Sequence, residues 1–396
     1  MNCCDYICLF IDRRGRRGRR GQIPAPSAAP NETTHNFGNP LFSQCIKSVW
    51  MVSAGLSVTR EMAMVEKVLV SGGAGYVGCV LVPKLLDAGY QVRVYDLMLY
   101  GDDGLPSHDS LEVIKGDIRD IESFSSAMQG MDAIIHLACI SNDPSFELNS
   151  NLSKSINFDC FEPMVVAARD AGIQRFIYAS TSSVYGVSDA PEVTEEHPLV
   201  PLTDYNKYKG LTEPILLKYQ SSDFTTVVVR PATVCGYSPR MRLDLSVNIL
   251  TNHAVNNGKI KVFGGSQKRP NIHIDDISDL YLRLLTLPKE SIAGQTFNAG
   301  YQNYTIMELA EMIKEVVEDE MPSTGPIEIE TTPTDDIRSY HVSSKKIAEH
   351  LGYRPEKTIQ DAVRDLCKAF KSGLLPDSFD DNQYYNVKAV QDLELE

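Results

Sequence analysis

The stretch Val68-Leu69-Val70-Ser71-Gly72-Gly73-Ala74-Gly75-Tyr76-Val77-Gly78 decides the fold of this chain of 396 residues. Its aliphatic run predicts a strand, its glycines predict a tight turn, and residues 80–88 predict a helix. Gly89 ends that helix, and residues 91–95 alternate as a second strand that finishes at Asp96. The stretch therefore predicts one complete βαβ unit.

The rest of the chain continues this alternation of strands and helices. Alternation of this kind is typical of a parallel sheet with helices on both faces. We therefore expect an α/β fold, a Rossmann doubly wound parallel sheet with a smaller C-terminal α/β substrate-binding lobe. Residues 321–336 are rich in Pro and Thr and predict a loop. The further strand candidates are residues 111–114, 133–137, 175–179 and 226–229, and the helix candidates include 121–128, 164–171, 245–256, 275–285, 305–317 and 359–371.

Charge and composition exclude several classes of protein. Fifty-two acidic and 38 basic residues give a formal charge of -14, which disfavours binding to nucleic acid and to anionic membranes. No run approaches the roughly 18 to 20 apolar residues that a bilayer span requires. The nine cysteines lack the paired spacing of a metal site or a disulfide framework. We expect no metal, no membrane partner, no nucleic acid and a reducing, cytoplasmic location.

Residues 1–64 differ in composition from the remainder. Six arginines lie between Arg13 and Arg20, and the segment has no apolar periodicity, so we expect a disordered basic extension. A targeting segment is one interpretation. The other is an extension without function, or a start placed too early, with Met62 or Met64 as the first residue.

The glycine turn suggests a dinucleotide site. Glycines between a strand and a helix let backbone N–H groups approach a pyrophosphate, and the helix N-terminus adds partial positive charge. An aspartate at the end of the next strand can accept hydrogen bonds from a ribose and repels a 2′-phosphate, which favours NAD over NADP. A plain tight turn and a turn-forming aspartate are the alternatives. The candidate cofactor-binding residues of this unit are Gly72, Gly75, Tyr76, Val77, Gly78 and Asp96.

A second constellation offers an acid–base group. On a helix, the four-residue spacing puts Tyr205 and Lys209 on one face, and a nearby ammonium stabilises a phenolate. Tyr205 is therefore a candidate general base. Tyr208 is the rival phenol, but the residue four positions beyond it is Thr212, which has no ammonium. The hydroxyl-rich turn at residues 180–183 offers a group to hold a reacting alcohol; an ordinary Ser/Thr turn is the alternative.

Together these motifs resemble the extended short-chain dehydrogenase/reductases, in particular the NAD-dependent nucleotide-sugar epimerases and dehydratases, among them UDP-glucose 4-epimerase. The resemblance covers about residues 66–375. It implies that Thr181, Tyr205 and Lys209 are catalytic, and that Tyr205 and Lys209 also contact the cofactor. The resemblance further rests on Gly116-Asp117-Ile118-Arg119-Asp120, His136-Leu137-Ala138, Val184-Tyr185-Gly186 and residues 269–276.

The resemblance also assigns further cofactor and substrate residues. Asp117 and Ile118 would flank the adenine, Ala138 would line the cofactor site, and Asn157 would lie behind the catalytic cluster. The candidate substrate-binding residues are Thr181, Thr233, Asn248, Arg269 and Arg338, of which the two arginines would clamp a diphosphate; a surface polar residue is the alternative for Asn248, Arg269 and Arg338. Arg240 and Arg242 are either extra anion contacts or a solvated rim.

Departures from the family pattern narrow the expected reaction. Dehydratases of this family place Asp-Glu directly after the catalytic Thr, and this chain has Ser182-Ser183 there, so dehydration is disfavoured. We expect an NAD-dependent epimerase that acts on a nucleotide-diphosphate sugar through a transient 4-keto intermediate. A net nucleotide-sugar oxidoreductase (ketosugar reductase, dehydratase or decarboxylating synthase) and a non-catalytic NAD-binding scaffold are the alternatives.

The domain organisation follows from the same pattern. We expect a homodimer, because family members often pair two helices per subunit, here those at residues 164–171 and 205–219. The expected domains are the basic extension 1–64, the NAD-binding Rossmann domain 65–236, a mainly substrate-binding lobe 237–376 in which 270–300 returns to the Rossmann domain, and an acidic, peripheral tail 377–396.

Overall fold

The computed structural model describes residues 65–334, 339 and 341–391. The predicted basic extension 1–64 and the candidate clamp Arg338 lie outside these residues. In the described part of the chain, no helix combines the length and the apolarity that crossing a bilayer requires.

The described residues include twelve strands and thirteen α-helices. The strands are β1 Lys67–Ser71, β2 Gln91–Asp96, β3 Leu111–Lys115, β4 Ala133–His136, β5 Arg175–Ala179, β6 Thr225–Pro231, β7 Thr233–Cys235, β8 Lys259–Phe263, β9 Lys268–His273, β10 Gln295–Ala299, β11 Gln302–Thr305 and β12 Glu328–Thr332. The helices are α1 Gly78–Asp87, α2 Ile121–Met128, α3 Asp143–Leu148, α4 Ser150–Lys154, α5 Phe161–Asp170, α6 Asp204–Lys218, α7 Ser246–Asn257, α8 Ile274–Thr286, α9 Lys289–Ile292, α10 Ile306–Glu320, α11 Lys345–Leu351, α12 Ile359–Lys371 and α13 Asn386–Gln391.

Seven strands form the main sheet, in the spatial order β3-β2-β1-β4-β5-β6-β10. All of its neighbouring strands run parallel. The order reverses direction between β1 and β4, and this switch point is where doubly wound sheets bind ligands. This architecture confirms the predicted Rossmann fold.

The apolar runs in the sequence explain the central strands. Val68, Leu69 and Val70 of β1 are fully buried, because helices cover both faces of a parallel sheet. Leu81 and Leu85 of α1 pack in the same core as Val68 and Val70. The predicted strand–turn–helix–strand unit is therefore present, with β1 paired in register to β2.

A second group of elements packs around α7, α10 and α12, which share one apolar core with β8. Strands β11, β9 and β7 form one small sheet, and β12 pairs with β8 in another. The prediction of a loop over residues 321–336 is therefore wrong at β12. Helix α8 returns to the main sheet and packs on α1, where Lys84 lies 2.7 Å from Asp279.

The segment 377–391 is not peripheral, contrary to the expectation from sequence. The Ser378 hydroxyl donates to Asn252 Oδ1 at 2.7 Å, and both residues are buried. The Tyr385 hydroxyl donates to the Ser378 carbonyl at 2.8 Å, and Leu243 N–H donates to the Tyr384 carbonyl at 2.8 Å. Polar contacts hold this segment in place. Such contacts leave little apolar periodicity in the sequence, so the pattern did not predict that the segment packs on the fold.

Candidate active site

A cavity of about 360 Å³ lies at the carboxyl ends of the parallel strands. Residues that directly follow β1, β4, β5 and β6 line it, as expected for a ligand site of a doubly wound sheet. The predicted site residues that line this cavity are Gly72, Gly75, Tyr76, Val77, Gly78, Asp96, Ile118, Ala138, Thr181, Tyr205, Lys209 and Thr233.

The glycine turn leaves no room for side chains. Gly72 has a φ of 78°, and a Cβ added there would lie 2.5 Å from the main-chain nitrogen of Ala138. A Cβ at Gly78 would lie 2.3 Å from the carbonyl oxygen of Gly73. Only glycine fits these positions, so bare main chain faces the cavity next to the N-terminus of α1. This surface fits the pyrophosphate of a dinucleotide.

Asp96 both shapes the turn and faces the cavity. One carboxylate oxygen accepts the N–H of Ala74 at 3.0 Å, and the other accepts the N–H of Met98 at 2.9 Å. Burial raises the pKa of this carboxyl group, and the two backbone hydrogen bonds oppose that shift. Each carboxylate oxygen retains a lone pair, so Asp96 can also accept hydrogen bonds from ribose hydroxyl groups.

Of the residues expected around the adenine and behind the catalytic residues, one lines the cavity and two do not. Ile118 is buried and lines the cavity, whereas the Asp117 carboxylate pairs with Arg119 at 2.6 Å and is not a lining residue. Asn157 also lies outside the lining. Its amide accepts the N–H of Ile140 at 2.9 Å and donates to the same residue's carbonyl at 2.8 Å. Asn157 thus fixes the main chain of a residue that lines the cavity.

The three candidate catalytic residues come together on two elements. Tyr205 and Lys209 lie one turn apart on α6, and Thr181 follows β5. The Lys209 ammonium donates to the Ala179 carbonyl at 2.7 Å, and Lys209 is only 2% exposed. The Thr181 hydroxyl lies 2.8 Å from that of Ser183. The arrangement puts a phenol, an ammonium and a hydroxyl in one cavity.

Opposing effects act on the pKa of Tyr205. Burial raises this pKa above its ordinary value and the Cys139 thiol raises it further, whereas the positive charge of Lys209 lowers it. Burial, and then the positive charge of Lys209, lower the pKa of His136 to about 3, so this imidazole is neutral. Its Nδ1 atom lies 2.6 Å from the hydroxyl oxygen of Ser71. Lys209 and Arg242 both act on Tyr205, and their positive charges favour its phenolate form.

A buried polar network supports this arrangement, and sequence reasoning did not find it. Glu213 and Arg230 form an ion pair of 2.6 Å, and both are at most 5% exposed. The Ser180 hydroxyl donates to Glu213 at 2.5 Å, and Arg230 donates to the Tyr185 hydroxyl at 2.6 Å. A signal was available, because Glu213 continues the i, i+4, i+8 face begun by Tyr205.

The residues predicted to bind substrate divide between the cavity lining and positions outside it. Thr233 lines the cavity, but Asn248 and Arg269 do not. The Asn248 amide is fully buried; it donates to the Arg242 carbonyl at 2.8 Å and accepts the Gly236 N–H at 3.1 Å. Arg269 lies on β9 and donates to the carbonyl of the preceding residue at 3.0 Å.

Arg240 and Arg242 line the cavity instead. Both are more than nine-tenths buried, which overturns the interpretation of a solvated rim. Arg242 pairs with Asp244 at 2.9 Å and donates to the Ser141 hydroxyl at 3.1 Å. Asn386, from the C-terminal segment, also lines this part of the cavity.

The described residues hold one cluster of potential metal ligands, His273, Asp275 and Asp365, which does not line the cavity. The ammonium groups of Lys357 and Lys84 lie 2.6 Å and 3.2 Å from Asp275. These positive charges compete directly with a metal ion.

Comparison with known proteins identifies the family of the chain. A family model described as "NAD dependent epimerase/dehydratase family" matches residues 68–300. The chain spans about 60% of the length of the first curated relatives it matches. One of these is the 3 beta-hydroxysteroid dehydrogenase/Delta 5-->4-isomerase of Mycobacterium tuberculosis, 31% identical over 56% of this chain and 60% of the relative.

Two further similar proteins match over nearly their whole length. The UDP-glucose 4-epimerase of Lactobacillus helveticus is 26% identical over 77% of this chain and 97% of that protein. The crystal structure of the UDP-glucose 4-epimerase of Thermus thermophilus in complex with NAD has a TM-score of 0.67 at 23% identity. It covers 77% of this chain and 99% of that chain.

Proposed function

The chain belongs to the NAD-dependent epimerase/dehydratase family, and we propose that it epimerises a nucleotide-diphosphate sugar through a transient 4-keto intermediate. The observation that carries the proposal is that Thr181, Tyr205 and Lys209 line the same cavity as the glycine turn. A base, its tuning cation and an alcohol-binding hydroxyl are the groups that oxidation of a sugar alcohol requires.

The cofactor of this family is NAD. When bound, NAD supplies the reversible two-electron oxidation of the sugar carbon. We propose that the turn from Gly72 to Gly78 holds its pyrophosphate and that Asp96 holds its adenosine ribose. The Lys209 ammonium has three donors and gives one to Ala179, so it can donate to a ribose hydroxyl as well.

In the proposed mechanism, Tyr205 moves the proton of the reacting hydroxyl. Thr181 donates a hydrogen bond to the sugar oxygen and holds it within reach of Tyr205. The phenolate accepts the proton as the carbonyl forms, and the phenol returns it when the alcohol is formed again on the other face. Lys209 favours the phenolate, because its positive charge lowers the pKa of Tyr205.

The residues after Thr181 favour epimerisation over dehydration. Elimination of water needs an acid and a base at neighbouring carbons, and Ser182 and Ser183 supply neither. Ser182 is buried, and Ser183 is bonded to both Thr181 and Asn206. The cavity also collects positive charge from Arg240 and Arg242, although the chain carries a net charge of -14. That local charge suits an anionic substrate such as a nucleoside diphosphate sugar.

The test is incubation of the protein with a panel of UDP-, dTDP-, GDP- and CDP-sugars without added cofactor, with products identified by NMR. An isomeric sugar nucleotide, formed by protein that carries NAD, would support the proposal. No product from any sugar nucleotide, with NAD bound and the fold intact, would contradict it.

A net oxidoreductase of the same family is the second candidate. One similar protein is named as a dehydrogenase of a hydroxysteroid, and Thr181, Tyr205 and Lys209 would serve net oxidation equally well. The two candidates differ in their need for cofactor. A net oxidoreductase turns over only with stoichiometric NAD or NADH, whereas an epimerase regenerates its cofactor in each cycle.

We also propose a homodimer and a cytoplasmic location. Helices α5 and α6 share one apolar core, and α6 also carries the exposed Leu211, which is 44% exposed and which a second copy would cover. Light scattering would test the dimer, and Leu211→Glu would reduce the mass to that of a monomer. The free thiols of the five described cysteines support a reducing compartment, which cell fractionation would test.

A further inference from the structure

Arg240 lies in the loop between β7 and α7 with its side chain buried against the cavity. It is 7% exposed. The guanidinium carbon lies 3.5 Å from the centre of the Tyr100 ring, and one terminal nitrogen donates to Asn386 Oδ1 at 2.6 Å. Tyr100 and Asn386 also line the cavity. A guanidinium stacked on a ring and bonded to an amide is held in one orientation.

The charge of Arg240 is not balanced by an ion pair within the described part of the chain. Its Nε atom is buried and has no hydrogen-bond partner there. Arg242 differs, because Asp244 pairs with its guanidinium at 2.9 Å. Burial and the nearby charge of Arg242 lower the pKa of Arg240 to about 10, while Tyr100 and the Asp244 carboxylate oppose that shift. A buried cation is costly unless it is paired, so the site is suited to an anion that arrives with a ligand.

The position of Arg240 indicates which part of the cavity that anion would occupy. Tyr100 follows β2 by four residues, just beyond Asp96. The main chain of Arg240 lies beside the first turn of α1, since a Cβ at Gly104 would meet Arg240 N at 3.3 Å and Cys79 Sγ at 2.7 Å. Arg240 is therefore on the side of the cavity formed by the glycine turn and the end of β2.

We propose that Arg240 is a phosphate-binding residue of the cavity and that Tyr100 and Asn386 position its guanidinium. The planar fork of an arginine matches phosphate oxygens in a bidentate arrangement. The phosphate can come from the dinucleotide pyrophosphate or from the diphosphate of a nucleotide sugar; only the second source rests on the proposed function. The position of Arg240 beside the first turn of α1 favours the dinucleotide.

Asn386 acts on Arg240 from the C-terminal segment. Its amide nitrogen donates to the Ser141 hydroxyl at 2.8 Å, and its main-chain N–H donates to Asp244 at 3.2 Å. These contacts turn the amide oxygen toward Arg240. The segment 377–391 thereby contributes a positioning residue to a site built mainly by the loops of the Rossmann sheet.

The test compares Arg240→Met with Arg364→Met, which removes the same charge from the exposed surface of α12. Titration calorimetry on the full chain measures the affinities of ADP, adenosine, UDP and uridine. We expect Arg240→Met to lower the ratio of ADP affinity to adenosine affinity at least tenfold and to leave adenosine binding unchanged. Arg364→Met should leave the ratio at its original value.

Two further variants keep the test decisive if Arg240→Met fails to fold. Arg240→Lys retains the positive charge but loses the planar guanidinium, and Asn386→Ala removes one contact that positions it. Both variants should lower the ratio of ADP affinity to adenosine affinity by a smaller factor. If only the ratio of UDP affinity to uridine affinity falls, the phosphate that Arg240 binds belongs to the nucleotide sugar. Unchanged ratios for both pairs, or equal losses of nucleoside and nucleotide, would overturn the proposal.

Discussion

The side-chain ammonium of Lys209 donates a hydrogen bond of 2.7 Å to the main-chain oxygen of Ala179 and so joins helix α6 to the end of strand β5. Thr181 follows Ala179 by two residues, and Tyr205 precedes Lys209 by one helical turn. Together with the hydrogen bonds from Ser180 to Glu213 and from Ser183 to Asn206, this contact holds the base, its cation and the hydroxyl that would hold the sugar oxygen in fixed relative positions. Preorganisation of this kind lowers the cost of orienting groups during reaction.

Tyr205→Phe tests the proposed general base. Loss of a positioned acid–base group reduces a rate by about 10²- to 10⁴-fold, so kcat should fall by that factor while NAD binding persists. Tyr208→Phe is the matched control, since that phenol stacks on Phe146 at 5.7 Å and does not line the cavity. Equal activity of the two variants would show that Tyr205 is not the base.

Lys209→Met tests how the phenol is tuned. The ammonium lowers the pKa of Tyr205, so its removal raises that pKa. Because the base must be deprotonated, kcat/KM rises with pH through the pKa of Tyr205, and the variant's rise should be displaced to higher pH. Lys207→Met, on the exposed side of the same helix, serves as the control. A pH profile identical to that of the unaltered protein would contradict this role for Lys209.

Glu213→Ala tests the buried network behind the site. Removal of one partner of a buried ion pair costs about 3–5 kcal/mol, because Arg230 would remain charged and unpaired. The double replacement Glu213→Leu with Arg230→Met should recover most of the lost free energy of unfolding, as measured by denaturant titration. Glu162→Ala, which breaks an exposed pair with Lys218, should leave stability unchanged. A cost for Glu213→Ala no larger than for Glu162→Ala would refute the role of the network.

Gly72→Ala tests the glycine turn. The positive φ of 78° and the 2.5 Å approach to Ala138 leave no space for a methyl group. The left-handed conformation alone costs roughly 1–3 kcal/mol in a residue other than glycine, and we expect NAD affinity to fall as the turn shifts. Gly210→Ala, within α6, is the contrasting change. Its added Cβ would lie 3.6 Å from the Leu199 side chain, which is an ordinary van der Waals contact. It should raise the free energy of unfolding by roughly 0.5–1 kcal/mol. Thermal unfolding and NAD titration would distinguish the two, and a Gly72 variant that binds NAD normally would contradict the account.

Sequence patterns predicted the central sheet because each of its buried strands is marked by residues within the strand itself. Strands buried on both faces appear as unbroken apolar runs, as in β1. Strand β12 has the sequence Glu-Ile-Glu-Thr-Thr and lies mostly exposed, so it carries no such run and was interpreted as a loop. Its parallel pairing with β8 joins residues that are far apart in the sequence, so a local pattern does not show it.

The site was predictable where spacing along one element sets it. Tyr205 and Lys209 are four residues apart on a helix, so their shared face follows from helical geometry. Asn386 and Arg240 are 146 residues apart, and their contact depends on how the C-terminal segment packs. The substrate contact of Asn248 stays a prediction, and sequence alone does not show that its amide already makes hydrogen bonds within the protein.

The most direct test of epimerisation uses the nucleotide sugar identified by the panel, with deuterium at the carbon that is oxidised. The proposed mechanism predicts an epimer that retains the deuterium, formed without added cofactor, with the bound cofactor oxidised again at the end. Conversion that stops after one equivalent and leaves deuterated NADH, with a ketone or an acid as product, would contradict epimerisation and establish a net oxidoreductase.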